Sequence, residues 1–289
     1  MTLQYTNYLK GIAIIFVVLA HLGPWMLGIG AFSALGPIAV SIFTILSGYG
    51  LVISYQQNPN QNFFKKRFLR LLPYYYVGVL IYITLSILVG KEIDNIYEVI
   101  FLFDLNWFIQ WIVVFYVIFY VYLKYNIEYI LFFASFLIWA FYPNSLWVEV
   151  AFSIYGGAFL ALNFERLESF LDMKKVLISL SMSVLLLVIS FNFNEVYLHK
   201  IRAVAYAIIA INMIIVLIRF NVVKILSRMG EKSYQIYLIH IVLLNFLYLV
   251  DNKFIMLVIQ ILGIFGIYYC VDFIAKFFNK HKRKLFVWL

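Results

Sequence analysis

About ten apolar runs, each close to the length of a bilayer-spanning helix, follow one another along this chain with only short charged, Asn- or Pro-containing breaks between them. In hydrocarbon a backbone finds no water, so each crossing must satisfy its own N–H and C=O groups, and a helix does this within a single segment. The runs lie roughly at 8–26, 35–55, 71–90, 105–123, 127–141, 146–163, 176–193, 201–218, 234–250 and 254–273. They predict an all-α, polytopic transmembrane bundle. Composition agrees: with 65% hydrophobic and 12% charged residues, a soluble fold has too few polar side chains to cover its surface. The first run is expected to stay as a permanent helix, because apolar segments continue beyond it and no small-residue cleavage pattern is clear.

Charge sets the expected orientation. With the N-terminus inside, 18 Lys and Arg fall in cytoplasmic segments against 4 outside, namely Lys91, Lys200, Arg202 and Lys253, which places both termini in the cytoplasm. The formal charge of +9 is spread over short loops rather than gathered on one soluble face, so no nucleic-acid partner is expected. The single cysteine, Cys270, excludes an internal disulfide and a thiolate zinc cluster, and no metal site is expected. Residues 1–275 read as one membrane domain and 276–289 as a basic cytoplasmic tail. The region 91–104 is expected to be interfacial or re-entrant, and 127–141 is short for a crossing.

Against this apolar background a few polar side chains stand out. His21 buries an imidazole in the first run, eleven residues after Lys10, which at about 100° and 1.5 Å per residue puts both on one helix face about 16 Å apart. An ionisable group inside a membrane segment points to function, although a neutral histidine satisfied within the bundle is the structural alternative. Lys10 alone also suits a snorkelling anchor. Arg67 and Arg70, three residues apart in the basic stretch 63–73, present two guanidinium forks suited to phosphate, where topology alone also asks for positive charge. Ser47, Gly48 and Gly50 in the second run permit a close backbone approach, by a neighbouring helix or by a ligand. Ser233, Tyr237 and His240 recur at helical spacing and can face one cavity, or the tyrosines can belong to an interfacial belt. Glu149 sits near the outer end of a crossing, where water is one explanation for it. Trp107 and Trp147 read as interfacial anchors or as stacking surfaces for a sugar.

Taken in order, these pieces resemble the acyltransferase 3 family of membrane proteins. The stretch from Asn7-Tyr8-Leu9-Lys10-Gly11 to His21 is similar to the family's first helix, and Phe43-Thr44-Ile45-Leu46-Ser47-Gly48-Tyr49 to its Ser-Gly-aromatic motif. Arg67-Phe68-Leu69-Arg70-Leu71-Leu72-Pro73 resembles its paired arginines before a proline. Asn106-Trp107-Phe108 resembles its mid-chain Trp-aromatic helix start, and Gly230-Glu231-Lys232-Ser233-Tyr234 through His240 its closing signature. Two positions depart from the pattern: Asn7 stands where an aspartate is common, and Lys10 where an arginine is, which keeps the charge and loses the bidentate fork.

The resemblance implies an O-acetyltransferase of the cell membrane that moves an acetyl or other short acyl group from cytoplasmic acyl-CoA to a hydroxyl of an envelope or exopolysaccharide glycan. No permanently bound cofactor is implied, acetyl-CoA being a substrate. The partners implied are acyl-CoA, a glycan acceptor and the lipid bilayer. On this reading Lys10, Arg67 and Arg70 bind the CoA phosphates and the pantetheine arm threads from Lys10 toward His21. His21 acts as general base or, in a variant, carries the acyl group. Ser47 and His240 are further catalytic candidates that polarise the thioester or orient His21. Trp107, Tyr237 and Glu149 are expected at the acceptor, and Tyr142, Asn144, Trp147 and Tyr197 offer further stacking and hydrogen-bonding groups near the outer ends. A transporter or flippase of a lipid-linked glycan is the main alternative, since polar groups in a helical bundle also suit a translocation path.

Overall fold

The structure is a computed structural model, and it describes residues 1–246 apart from short breaks at 60–61, 94, 128, 143–144, 171 and 191–194, together with scattered residues between 252 and 269. Among the described residues the regular structure is helical. The helices are α1 (Leu3–Leu27), α2 (Leu35–Gln57), α3 (Phe63–Val89), α4 (Ile96–Phe101), α5 (Trp107–Tyr125), α6 (Tyr129–Phe141), α7 (Ser145–Val150), α8 (Ser153–Phe170), α9 (Met173–Ser190), α10 (Glu195–Leu217), α11 (Lys224–Glu231) and α12 (Ser233–Leu244), with a 3₁₀ turn, Gly30–Ala34, between α1 and α2. Among the described residues, seven stretches are long and apolar enough to cross a bilayer: Leu3–Pro24, Gly30–Gln57, Phe63–Val89, Trp107–Tyr125, Leu146–Leu167, Met173–Ser190 and His199–Leu217. Two apolar helices, α6 and α12, are shorter, and the expected run at 254–273 and the tail at 276–289 lie largely or wholly outside the described residues.

Two boundaries differ from the sequence expectation for local reasons. The third helix starts at Phe63 rather than near residue 71, so the basic stretch is helical and Pro73 sits inside the helix. The run at 146–163 is broken into α7 and α8 by a turn at Ala151 and Phe152. There the Ser153 hydroxyl donates to the Val150 carbonyl at 2.5 Å, and the Ala151 and Ile154 N–H groups bond three residues back instead of four.

The chain forms two compact units, one of Met1–Phe64 with Trp111–Glu231 and the other of Lys65–Gln110 with the residues from Lys232 onward. In the first unit, glycines set the helix spacing. A Cβ on Gly11 of α1 would lie 1.9 Å from the Leu226 carbonyl oxygen of α11, and one on Gly230 of α11 would lie 1.6 Å from that of Asn7. The amphipathic α11, which the apolar pattern does not foretell, is thereby seated on α1. Helices α2 and α8 cross in the same way, with a Gly48 Cβ placed 3.0 Å from Gly157 Cα. Two hydroxyls inside this unit bond within their own helices, Thr44 to the Val40 carbonyl and Ser183 to that of Ser179. Helix α9 turns many apolar side chains outward, among them Leu177, Ile178, Met182, Leu185 and Val188, as a lipid-facing helix does.

In the second unit α3 packs against α12. The Tyr234 hydroxyl donates to the Leu71 carbonyl at 3.0 Å, and Tyr74 meets Tyr234 edge-on. The Tyr75 hydroxyl donates to the Val99 carbonyl of α4, fixing the segment expected to be interfacial or re-entrant. Lys91 donates to the Asn245 carbonyl at 3.4 Å between the rings of Tyr82 and Phe246.

Candidate functional site

The first unit carries Lys10, His21, Ser47 and Glu149. Helix α1 is continuous from Leu3 to Leu27, so the helical spacing of Lys10 and His21 holds. Pro24 lies inside it, and because proline has no N–H the Ala20 carbonyl, next to His21, loses its usual partner in the helix ladder. The face that joins the two residues runs Lys10, Ile14, Val17, His21. Ile14 and Val17 are buried, Lys10 is half-buried and His21 is exposed. Two packed aliphatic side chains, Ile14 and Val17, thus lie on this face between Lys10 and His21.

Ser47 is half-buried in α2, while the neighbouring Gly48 is pressed against Gly157. Of the two explanations for that glycine, helix packing is the one the contact supports.

Glu149 is buried, which removes water as its explanation. Its Oε1 accepts from His199 Nδ1 at 2.7 Å and lies 3.8 Å from Arg202 Nη1, with side-chain exposures of 8% for Glu149, 34% for His199 and 16% for Arg202. Arg202 also donates through Nε to the Ser190 hydroxyl at 3.2 Å and through Nη2 to the Ser190 carbonyl at 3.5 Å, at the last residue of α9. Lys200 donates to the Ala140 carbonyl at 3.0 Å near the end of α6. The start of α10 thus brings cations to two helix C-termini, where exposed carbonyls favour positive charge. Beside this cluster Tyr142 stacks on Trp147 at 4.6 Å and 14°, and Trp147 meets Trp111 edge-on at 5.2 Å. Asn144 and the Tyr197 side chain lie outside the described residues.

Sequence reasoning missed His199. The available signal was Glu149 itself, a carboxylate inside an apolar helix that required a cationic partner. His199 and Arg202 stand three residues apart and can share a helix face, but nothing in the sequence pairs them with a residue fifty positions earlier.

The second unit carries Arg67, Arg70, Trp107, Tyr237 and His240. Helix α3 puts Arg67 and Arg70 on one face, Arg67 half-buried and Arg70 exposed. Trp107 is half-buried at the start of α5. The Tyr237 hydroxyl donates to Asn106 Oδ1 at 3.0 Å, and the same oxygen accepts the Phe108 N–H at 2.9 Å. Asn106 Nδ2 is buried and has no hydrogen-bond partner among the described residues. His240, 1% exposed, meets the Tyr237 ring at 5.4 Å and 60°. Tyr237 and His240 are therefore buried groups of α12, and Tyr237 is joined to Asn106 rather than placed at an interfacial belt. Among the described residues no cluster of three or more His, Cys, Asp or Glu is arranged to hold a metal ion.

A family model described as an acyltransferase domain matches residues 3–277. No curated protein and no solved structure gave a match.

Proposed function

Because the chain belongs to the acyltransferase 3 family and is thus a multi-pass membrane acyltransferase, we propose that it moves an acetyl or other short acyl group from cytoplasmic acyl-CoA to a hydroxyl of an envelope or exopolysaccharide glycan at the cell membrane. The observation that supports this most directly is the family match over a helix that holds a reachable imidazole, His21 on α1.

A sugar hydroxyl is a weak nucleophile until its proton is removed, and an imidazole does this near neutral pH. His21 takes that proton as the hydroxyl oxygen attacks the thioester carbonyl. The C–S bond then breaks, CoA leaves as its thiolate, and the thiolate accepts the proton from His21. Arg67 and Arg70 bind the phosphates of the donor. The pantetheine arm follows a course other than the packed face of α1. Ser47 is the first candidate to polarise the thioester carbonyl, since the backbone at Gly48 is occupied by Gly157. Enclosed as it is, His240 orients Tyr237 rather than meeting substrate.

The test is donor binding. Purified protein should bind acetyl-CoA, and the Arg67→Ala, Arg70→Ala double variant should bind it at least about tenfold more weakly, as expected for lost charged hydrogen bonds. Equal binding by the two proteins would remove the donor site, and a wild-type protein that releases no CoA in the presence of acceptor would remove the activity.

A further inference from the structure

We infer that Glu149, His199 and Arg202 form the acceptor subsite, in which His199 Nε2 accepts a hydrogen bond from a carbohydrate hydroxyl. The inference rests on the acyl-transfer reading above and adds the residues that receive the acceptor.

The geometry is that of a carboxylate-backed imidazole. Glu149, almost wholly buried on α7, holds the Nδ1 side of the ring at 2.7 Å, so the proton of a neutral His199 sits on Nδ1. Nε2 then carries the lone pair. It belongs to a ring that is one-third exposed, so it is the part of the pair a ligand can reach. Arg202 approaches the same carboxylate oxygen, with Nη1 at 3.8 Å from Oε1, and is itself tied to the end of α9 through Ser190. A carboxylate buried this deeply is retained only with its charge matched and its oxygens satisfied, and here both partners come from one turn of α10. Two residues before Glu149, Trp147 bears the stacked and exposed ring of Tyr142, whose flat face suits the C–H face of a sugar. Together they offer a stacking surface and a hydroxyl acceptor. Arg202 is matched by Glu149 and Lys200 is held on the Ala140 carbonyl, which makes a neutral glycan the fitting ligand class.

The experiment uses the full chain in lipid nanodiscs, with acetyl-CoA as donor and, as acceptor, envelope polysaccharide purified from cells that lack this protein. His199→Gln and Glu149→Gln should raise the KM for polysaccharide at least about tenfold, with acetyl-CoA affinity within twofold of wild type. Glu149→Asp should recover part of the loss. Polysaccharide should also slow carbethoxylation of His199 by diethyl pyrocarbonate, followed by mass spectrometry on its own peptide. An unchanged KM in the Gln variants, or a fall in thermal stability as their only effect, would overturn the subsite. If wild-type protein transfers nothing yet polysaccharide protects His199, the subsite stands and the acyl-transfer reading falls. Absence of protection in an inactive wild type overturns both.

Discussion

The imidazoles of the two units live in opposite circumstances. In the first unit His21 is exposed on α1 and His199 is one-third exposed with a carboxylate behind it, whereas in the second unit His240 is sealed in α12 against Tyr237. The polar neighbours differ accordingly. Around His199 the groups are charged and held by ion pairs, while next to His240 the Tyr237 hydroxyl and the Phe108 N–H converge on one oxygen of Asn106. A ring that is to exchange a proton with a substrate must be reachable, and a ring that is to hold a helix in place must not be. On the proposed function, proton transfer belongs to the first unit and shape to the second.

The largest effect expected from that contrast is on catalysis. His21→Ala should lower acyl transfer by about 10²–10⁴-fold, the range for loss of a general base, while leaving membrane abundance and thermal stability near wild type because the side chain lies outside the buried core of α1. His240→Ala should do the reverse, reducing stability by about 2–3 kcal/mol through a core cavity while the folded fraction keeps acyl transfer within about tenfold. Thermal melts and single-turnover transfer measured on the same preparations decide it. Comparable catalytic losses in both variants would erase the distinction.

Next in size is the charged cluster. Glu149→Ala removes the shared partner of His199 and Arg202 and should destabilise the protein by about 3 kcal/mol, at the lower end for a broken buried pair because His199 keeps partial access to solvent. Replacing Arg202 by Met in the same background should return part of that loss, since the buried cation that faced the lost carboxylate is then absent. A melting temperature unaffected by Glu149→Ala would mean that the cluster does not hold α10 to α7.

How far the sequence foretold this arrangement follows from the range of each interaction. Helix α1 and the spacing of Lys10 and His21 were legible because both come from one helical period and one apolar run. The glycines Gly11, Gly48 and Gly230 were legible as places of close approach, but which helix approaches is a tertiary fact, and α11 has too little apolar length to announce itself. The packed face between Lys10 and His21 was invisible for the same reason: Ile14 and Val17 look alike in sequence whether they line a channel or a helix contact. Glu149 was visible as an anomaly, and its partners became known only when α10 was laid against α7. Arg67 and Arg70 were expected to share a face if helical, and α3 does start early enough for that.

The smallest effect tests whether the neutral cluster is held by Asn106 or merely surrounds it. Tyr237→Phe removes one hydroxyl, and Asn106 Oδ1 keeps the Phe108 N–H, so no buried acceptor is left empty and the loss should be about 1 kcal/mol. Asn106→Ala strands two donors at once, the tyrosine hydroxyl and the Phe108 N–H, and should exceed the tyrosine variant by about 1 kcal/mol or more. In the double variant Tyr237→Phe, Asn106→Ala one of those stranded donors is gone, so its loss should fall below the sum of the two single losses. A double variant whose loss equals that sum would show that the two side chains act independently, and α12 would then owe its position to the Tyr234 and Tyr74 contacts with α3 instead.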